Sequence, residues 1–161
     1  MPGGRMKYGL MGLLAAGAVA CGARGRGAQG VEASERTAAA PPLYDRLGRR
    51  DAIALVVEDF VERRIARDAR IRGFFAGADL PGLETKLVDQ ICELSGGPCK
   101  YTGVYKDMKT AHAGMTIKDA DYRALVEDLV AALDQFHVAP REQQELLAAL
   151  GALRDDIVTA K

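Results

Sequence analysis

The chain has 161 residues, 48% of them hydrophobic and 27% charged, with 22 basic and 22 acidic side chains and no net charge. Those proportions fit one ordinary globular domain. The balanced charge and the 6% aromatic content exclude the basic, stacking surfaces of nucleic-acid binders.

The first residues differ in kind from the rest. Arg5 and Lys7 precede an apolar run from Tyr8 to Ala20 that ends at Cys21. The run is too short to span a bilayer comfortably but matches the apolar core of a secretory signal. Ala18-Val19-Ala20-Cys21-Gly22 resembles a bacterial lipobox, in which small residues precede a cysteine that takes lipid, although Ala18 stands where leucine is usual. Cys21 is therefore either lipidated or an ordinary thiol left after cleavage. Both readings make residues 1–20 a signal peptide and export the mature protein, as a lipoprotein on the periplasmic side of a bacterial membrane or in secreted form. Residues 21–42 are rich in Gly, Ala, Arg, Glu and Ser without an apolar period. They bury too little to offset their ordering entropy, so a disordered tether is expected.

The folded domain, residues 43–161, begins with Leu43-Tyr44-Asp45-Arg46-Leu47-Gly48, a helical turn closed by glycine. A helix over about Arg50 to Ala66 places Ile53, Val56, Val57, Phe60 and Ile65 on one side, with Glu58, Asp59, Glu62 and Arg63 on a solvated face. Arg64 interrupts the inner stripe and is expected to snorkel from its edge. Phe74-Phe75-Ala76-Gly77 follows a short basic turn. Asp79 then reads as an N-cap, with Pro81 in the first turn of a helix over about Leu80 to Ser95. Its stripe is Leu80, Leu83, Leu87, Ile91 and Leu94.

Gly96, Gly97 and Pro98 stop that helix. The loop after them leads to a short helical piece on which Met108 and His112 share a face, ended by Gly114. His112 is one of only two histidines, and spacing alone leaves it as either a packing residue or a one-sided metal ligand. Cys92 and Cys99 lie seven apart across the helix end, and are either two buried thiols or a disulfide that pins the loop carrying His112. No second pair of N/S ligands stands near for zinc. Thr116-Ile117-Lys118-Asp119 reads as a capping box opening a helix that runs to about Phe136, with Ile117, Leu125, Leu129, Leu133 and Phe136 on one face. His137 sits in the next loop, as a surface residue. Pro140 starts the last helix, whose stripe is Leu146, Leu147, Leu150, Leu153 and Ile157. No segment alternates with period two, so the domain is read as all-α.

Several of these stretches, in this order, resemble group I truncated haemoglobins: Leu43 to Gly48, Phe74-Phe75, Gly96 to Gly103, Met108 to Met115, and Val126 to Val130. The likeness runs from Leu43 to about Val158. It implies the shortened globin fold, a two-over-two helical sandwich around one b-type haem. The helix pairs would be Arg50–Ala66 with Leu80–Ser95, and Ile117–Phe136 with Pro140–Val158. His112 maps onto the proximal iron ligand, and Phe75 onto the phenylalanine that packs on the porphyrin face. Phe60, Leu83, Leu87, Tyr101, Met108, Met115 and Ile117 would complete the haem pocket. Lys86 would reach a haem propionate, with Lys109 a lesser candidate.

On the distal side the chain departs from the commonest family pattern. A tyrosine usually follows the phenylalanine of the first long helix, but here Val61 follows Phe60. The distal positions of the facing helix match Leu83 and Leu87, both apolar, and Gln90 lies one turn beyond. Dioxygen on iron acquires negative charge and is held by a donor, whereas carbon monoxide depends on one much less. The expectation is weak oxygen stabilisation with good binding of CO or NO, unless Gln90 or Tyr101 swings over the iron.

The resemblance thus implies reversible binding of diatomic gases (O2, NO, CO), with a reductase as an unidentified partner. An NO dioxygenase or peroxidase-like enzyme is a second reading. It needs a stabilised oxygen adduct and an electron donor. A cofactor-free helical lipoprotein acting as a binding module is a third, for which His112 would be incidental.

Overall fold

The computed structural model describes residues 40–103 and 107–160, and the described residues form helices and connecting turns with no strand. The expected signal peptide, Cys21, most of the tether and the connector at 104–106 lie outside the described residues.

Helix α1 (Leu43–Arg46) is a single turn that buries Leu43. The Arg46 guanidinium reaches Glu142, at 2.6 Å, and also Glu145, which fastens this turn to the last long helix. Gly48 then turns the chain with φ +85°, where a Cβ would meet that of Ala52 at 2.7 Å. Helix α2 (Arg49–Glu58) continues without a break into a π-helical segment, Asp59–Ile65. Together they cover the helix expected over Arg50 to Ala66, and they bury Ile53, Val56, Val57, Phe60, Val61 and Ile65.

The change of winding corrects one expectation. Asp59, expected on the solvated face, is only 6% exposed. Its carboxylate accepts from Arg64 Nε at 2.7 Å, an i,i+5 pair. In a π-helix the residue five along lies almost directly above, as the Ala66 N–H to Val61 carbonyl bond also shows. Arg64 therefore does not simply snorkel; it neutralises a buried acid.

A 3₁₀ turn, Arg72–Phe75, carries the two phenylalanines. Helix α3 (Leu80–Leu94) starts as expected: Asp79 accepts from the Gly82 amide at 3.1 Å, and Pro81 sits in the first turn. It ends in a Schellman motif, with Gly96 at φ +84°, Gly96 N–H donating to Glu93 O and Gly97 N–H to Cys92 O. The expected apolar stripe divides between two tasks. Val88, Ile91 and Cys92 face the core, Leu83 and Leu87 are half-buried on the other flank, and Leu94 at the helix end is 38% exposed.

Helix α4 (Met108–His112) is capped by Asp107, whose carboxylate accepts from the Thr110 amide at 2.8 Å. Gly114 at φ +82° closes it. Helix α5 (Asp119–Gln135) begins later than the expected capping box. Thr116 adopts φ +51°, a conformation incompatible with an N-cap, so Lys118 takes that place and its amide donates to Asp121. Lysine has no acceptor, so only that half of a box can form. Phe136 caps the other end and is 40% exposed rather than buried.

The single last helix expected over Pro140 to Val158 is two: α6 (Pro140–Gly151) and α7 (Arg154–Ile157). Gly151, a weak helix former, stands at the break. Beyond it Arg154 pairs with Asp119, the Ile117 amide donates to Thr159 Oγ1 at 2.9 Å, and the Thr159 and Ala160 amides donate back to the Ile117 carbonyl. These bonds bend α7 against α4.

Helix α2 packs on α3, and α5 packs on the π segment and on α6, which is the two-over-two sandwich. Ile53, Val57, Ile65, Leu129, Leu133 and Leu146 form its centre.

Candidate functional site

Between the two helix pairs lies an apolar cavity of about 200 Å³. It exists because the inner stripes of α3, α5 and α6 do not close on one another. Leu83 and Leu87 line one wall; Leu125, Val126, Leu129, Leu147 and Leu150 line another. His112 and Met108 of α4 form a third side, Phe60 and Phe75 a fourth, and Lys86, Gln90 and Tyr101 also reach the cavity. A second, smaller space of about 70 Å³ adjoins it, and Phe75, His112, Tyr122, Leu125 and Ile157 belong to both walls. Met115 and Ile117 line only the smaller one.

One residue expected at the distal wall is elsewhere. Val61 is fully buried in the core and lines neither cavity, while Phe60 faces the larger one. Val61 continues the stripe of Ile53, Val56, Val57 and Phe60 at ordinary helical spacing, which directs it to the core. Lys109 is exposed and outside both walls.

His112 is half-buried, and its Nδ1 lies 2.7 Å from the Met108 carbonyl. A carbonyl only accepts, so Nδ1 carries the proton and Nε2 keeps its lone pair. The short helix that makes this possible is held at one end by the Asp107 cap and at the other by Gly114. Gln90 donates to Met108 Sδ at 3.5 Å, so α3 touches α4 at this edge of the cavity.

The loop before α4 is tied to α3 several times. Cys92 and Cys99 form a disulfide with their Cα atoms 5.7 Å apart, which settles the choice the sequence left open. Glu93 accepts from the Tyr101 amide at 2.9 Å and from Lys100 Nζ at 3.0 Å. Those bonds, the backbone one foremost, hold the Glu93 carboxyl below its ordinary range. Tyr101 is thereby aimed into the cavity, and burial pushes its phenol up, as it does for Tyr122.

Sequence reasoning did not single out Tyr122 as a wall residue, nor Leu125, Val126, Leu129 and the α6–α7 leucines. A helical stripe marks an inner face, but the same pattern describes a wall residue and a core residue. Tyr122, a phenol on the inner side of α5, was the one available signal.

Residues 42–159 match the bacterial-like globin family. Group 1 truncated haemoglobin GlbN of Mycolicibacterium paratuberculosis is 33% identical over 126 residues, covering 78% of this chain and 90% of the relative. Group 1 truncated haemoglobin of Tetrahymena pyriformis is 29% identical, covering 72% of this chain and 93% of that protein. The crystal structure of truncated haemoglobin from Tetrahymena pyriformis in its Fe(III) form superposes with a TM-score of 0.68 at 28% identity, over 73% of this chain and 98% of that one. The 2/2 haemoglobin from a Synechococcus species, solved with covalently attached haem, gives 0.67 at 26% identity, over 73% and 98%. With a family match over residues 42–159, a group 1 relative 33% identical over 78% of the chain, and solved truncated haemoglobins that share its helical fold, the chain belongs to the bacterial-like globin family and to the group 1 truncated haemoglobins.

Proposed function

We propose that the chain holds one b-type haem in the larger cavity and reversibly binds diatomic gases there. The observation that carries this reading is the orientation of His112, whose Nδ1–H is spent on the Met108 carbonyl so that Nε2 would be free to donate to a haem iron. Among the described residues no group of three or more His, Cys, Asp and Glu is arranged to hold a metal ion. A single imidazole suffices for an iron already held by a porphyrin. The apolar walls suit a macrocycle, which Phe60 and Phe75 would help to hold, and the half-buried Lys86 at the cavity would offer a cation to its acidic groups. When bound, haem iron supplies an open coordination position for a gas molecule.

What the chain's own residues add is selectivity. Leu83 and Leu87 offer a gas ligand no hydrogen bond, and the Gln90 amide is directed at Met108. This favours a carrier or sensor of CO, NO or loosely held oxygen over an NO dioxygenase or a peroxidase-like enzyme, which would depend on a donor and a reductase partner. Purified holoprotein should show a Soret band that is lost or shifted in His112→Ala. Its absence after reconstitution with haem would favour a cofactor-free helical binding module.

The reading extends to location. The basic start, the apolar run Tyr8 to Ala20 and the small residues before Cys21 support export with Cys21 lipidated. The Cys92–Cys99 disulfide agrees with an oxidising compartment. Membrane-fraction protein should carry acyl mass at Cys21, and Cys21→Ser should release it; a wild-type chain found unmodified in the cytosol would overturn this.

A further inference from the structure

Away from the cavity, the corner between the π segment and the Phe74–Phe75 turn meets α5 through acids. Asp68 organises the corner: its carbonyl accepts from the Ile71 and Arg72 amides, and its carboxylate accepts from the Arg70 amide at 2.8 Å and from the Arg70 guanidinium. The Ile71 carbonyl in turn accepts from the Phe74 amide. Arg70 also reaches Glu127 on α5 at 2.6 Å. Beside Glu127, Asp128 presents its carboxyl to that of Asp68, and its Oδ2 is buried with no partner among the described residues. From the π segment Arg64 faces the same group but is already bonded to Asp59. Asp128 thus looks onto Asp68, Arg70, Arg64 and Glu127, and the nearby cations are engaged by other carboxylates.

Two carboxylates cannot hydrogen-bond each other, since both only accept; one proton between them makes the contact favourable. We propose that Asp128 keeps its proton where an exposed aspartate has lost it, donates to Asp68, and so acts as a proton-operated clasp between α5 and the corner that carries Phe74 and Phe75. The two acids are pushed apart in the sense this requires. Burial first and the Asp68 charge second raise Asp128, while hydrogen bonds from the Arg70 side chain and backbone lower Asp68. On deprotonation the proton goes to solvent, two like charges face each other, and the corner loosens. Phe75 lines both cavities, so on the haem reading above the clasp sets how firmly one wall of the pocket is held.

The sign is fixed. Because the folded state binds this proton more tightly than the unfolded chain, the contribution is complete below the unfolded pKa and is lost as pH rises through the folded one. Asp128→Asn keeps a donor toward Asp68 at every pH, and Asp68→Asn removes the facing charge. Carboxyl-carbon NMR of the full-length protein should show Asp128 titrating above the ordinary aspartate range, and Asp68→Asn should bring it down. Thermal denaturation should show wild type losing stability relative to Asp128→Asn as pH rises through that midpoint. Transfer of haem to an apoglobin acceptor should speed up several-fold through the same midpoint in wild type and stay flat in Asp128→Asn. An Asp128 midpoint at or below the ordinary range, or a stability gap that does not change with pH, overturns the clasp. A raised Asp128 midpoint with pH-independent haem transfer overturns its link to the pocket. If no haem binds at all, the haem reading fails while the NMR and stability tests still judge the clasp.

Discussion

His112 Nδ1 donates to the carbonyl of Met108 one turn earlier on the same short helix, at 2.7 Å. That bond decides the tautomer, constrains the ring, and leaves Nε2 as the free nitrogen of an imidazole that lines the cavity. The backbone carbonyl four residues away is thus as much a part of the ligand as the imidazole itself.

His112→Ala should abolish specific haem retention, and added free imidazole should partly restore the Soret band by filling the gap. A ring that is oriented but no longer hydrogen-bonded typically loses about 10–100-fold in metal affinity. Breaking α4 with Ala111→Pro, which removes the Ala111 amide bond to the Asp107 carbonyl, should therefore weaken haem binding by about that factor while leaving His112 in the sequence. Unchanged haem release in both variants would sink the assignment.

The apolar wall makes an opposite pair of outcomes. Gln90→Leu should change oxygen dissociation by less than about twofold, because its amide is directed at Met108. Leu87→Gln places a donor on the wall formed by Leu83 and Leu87, which has none, and one new hydrogen bond worth about 1.4 kcal/mol should slow oxygen loss about tenfold. Stopped-flow displacement by CO measures both. A slow wild-type rate that Gln90→Leu accelerates strongly would mean that Gln90 swings over the ligand.

The helical stripes, the caps at Asp79 and Pro81, the glycine stop at Gly96 and the histidine on its short helix could be read from the sequence because each is a local decision. What could not be read is the phase of a helix. Asp59 was placed on the solvated face by a 3.6-residue count, and the structure instead buries it against Arg64 across the π segment from Asp59 to Ile65; Val61 was placed on the distal wall by the family pattern, and it lies in the core. Nothing local announces that winding; it reconciles a buried acid with packing on α3 and α5. The break at Gly151 was equally hidden, since it depends on Thr159 finding Ile117 and Arg154 finding Asp119.

The Asp59–Arg64 pair gives that winding a measurable consequence. Arg64→Ala leaves Asp59 buried, with only Arg63 near, at 3.8 Å. The loss should be about 2–3 kcal/mol in denaturant unfolding. Arg64→Ala combined with Asp59→Leu should recover most of it, because two apolar groups leave no uncompensated charge. A double variant no better than the single would show that the pair is not what the π segment is built around.

The disulfide should matter to stability and to the loop it pins. Cys92 and Cys99 close a short loop, for which the chain-entropy relation gives about 2.5 kcal/mol. The Cys92→Ser, Cys99→Ser protein, or wild type treated with a dithiol reductant, should unfold at correspondingly lower denaturant. Amide exchange should quicken at Tyr101, whose N–H is held by Glu93 on the pinned loop. Reduction that leaves both measurements unchanged would make the bond incidental.

Acid should act on α4 through its cap. Hydrogen bonding from Thr110, the backbone amide foremost, holds the Asp107 carboxyl below the ordinary aspartate range. A depressed folded pKa means that the cap's stabilisation is present above the unfolded pKa and is lost as pH falls through the folded one. The Thr110 amide, which donates to Asp107, is the reporter. Its hydrogen-exchange protection should decline in wild type on acidification, after correction for intrinsic exchange. In Asp107→Asn the amide oxygen still caps but does not titrate, so protection should be nearly flat over the same range; in Asp107→Ala it should be low throughout. Because the reporter is a backbone amide at the start of α4, the result separates loss of the cap from protonation of His112 itself. If Asp107→Asn lost protection in acid as wild type does, the titrating group would be another, and the cap would not be what keeps the histidine's helix wound.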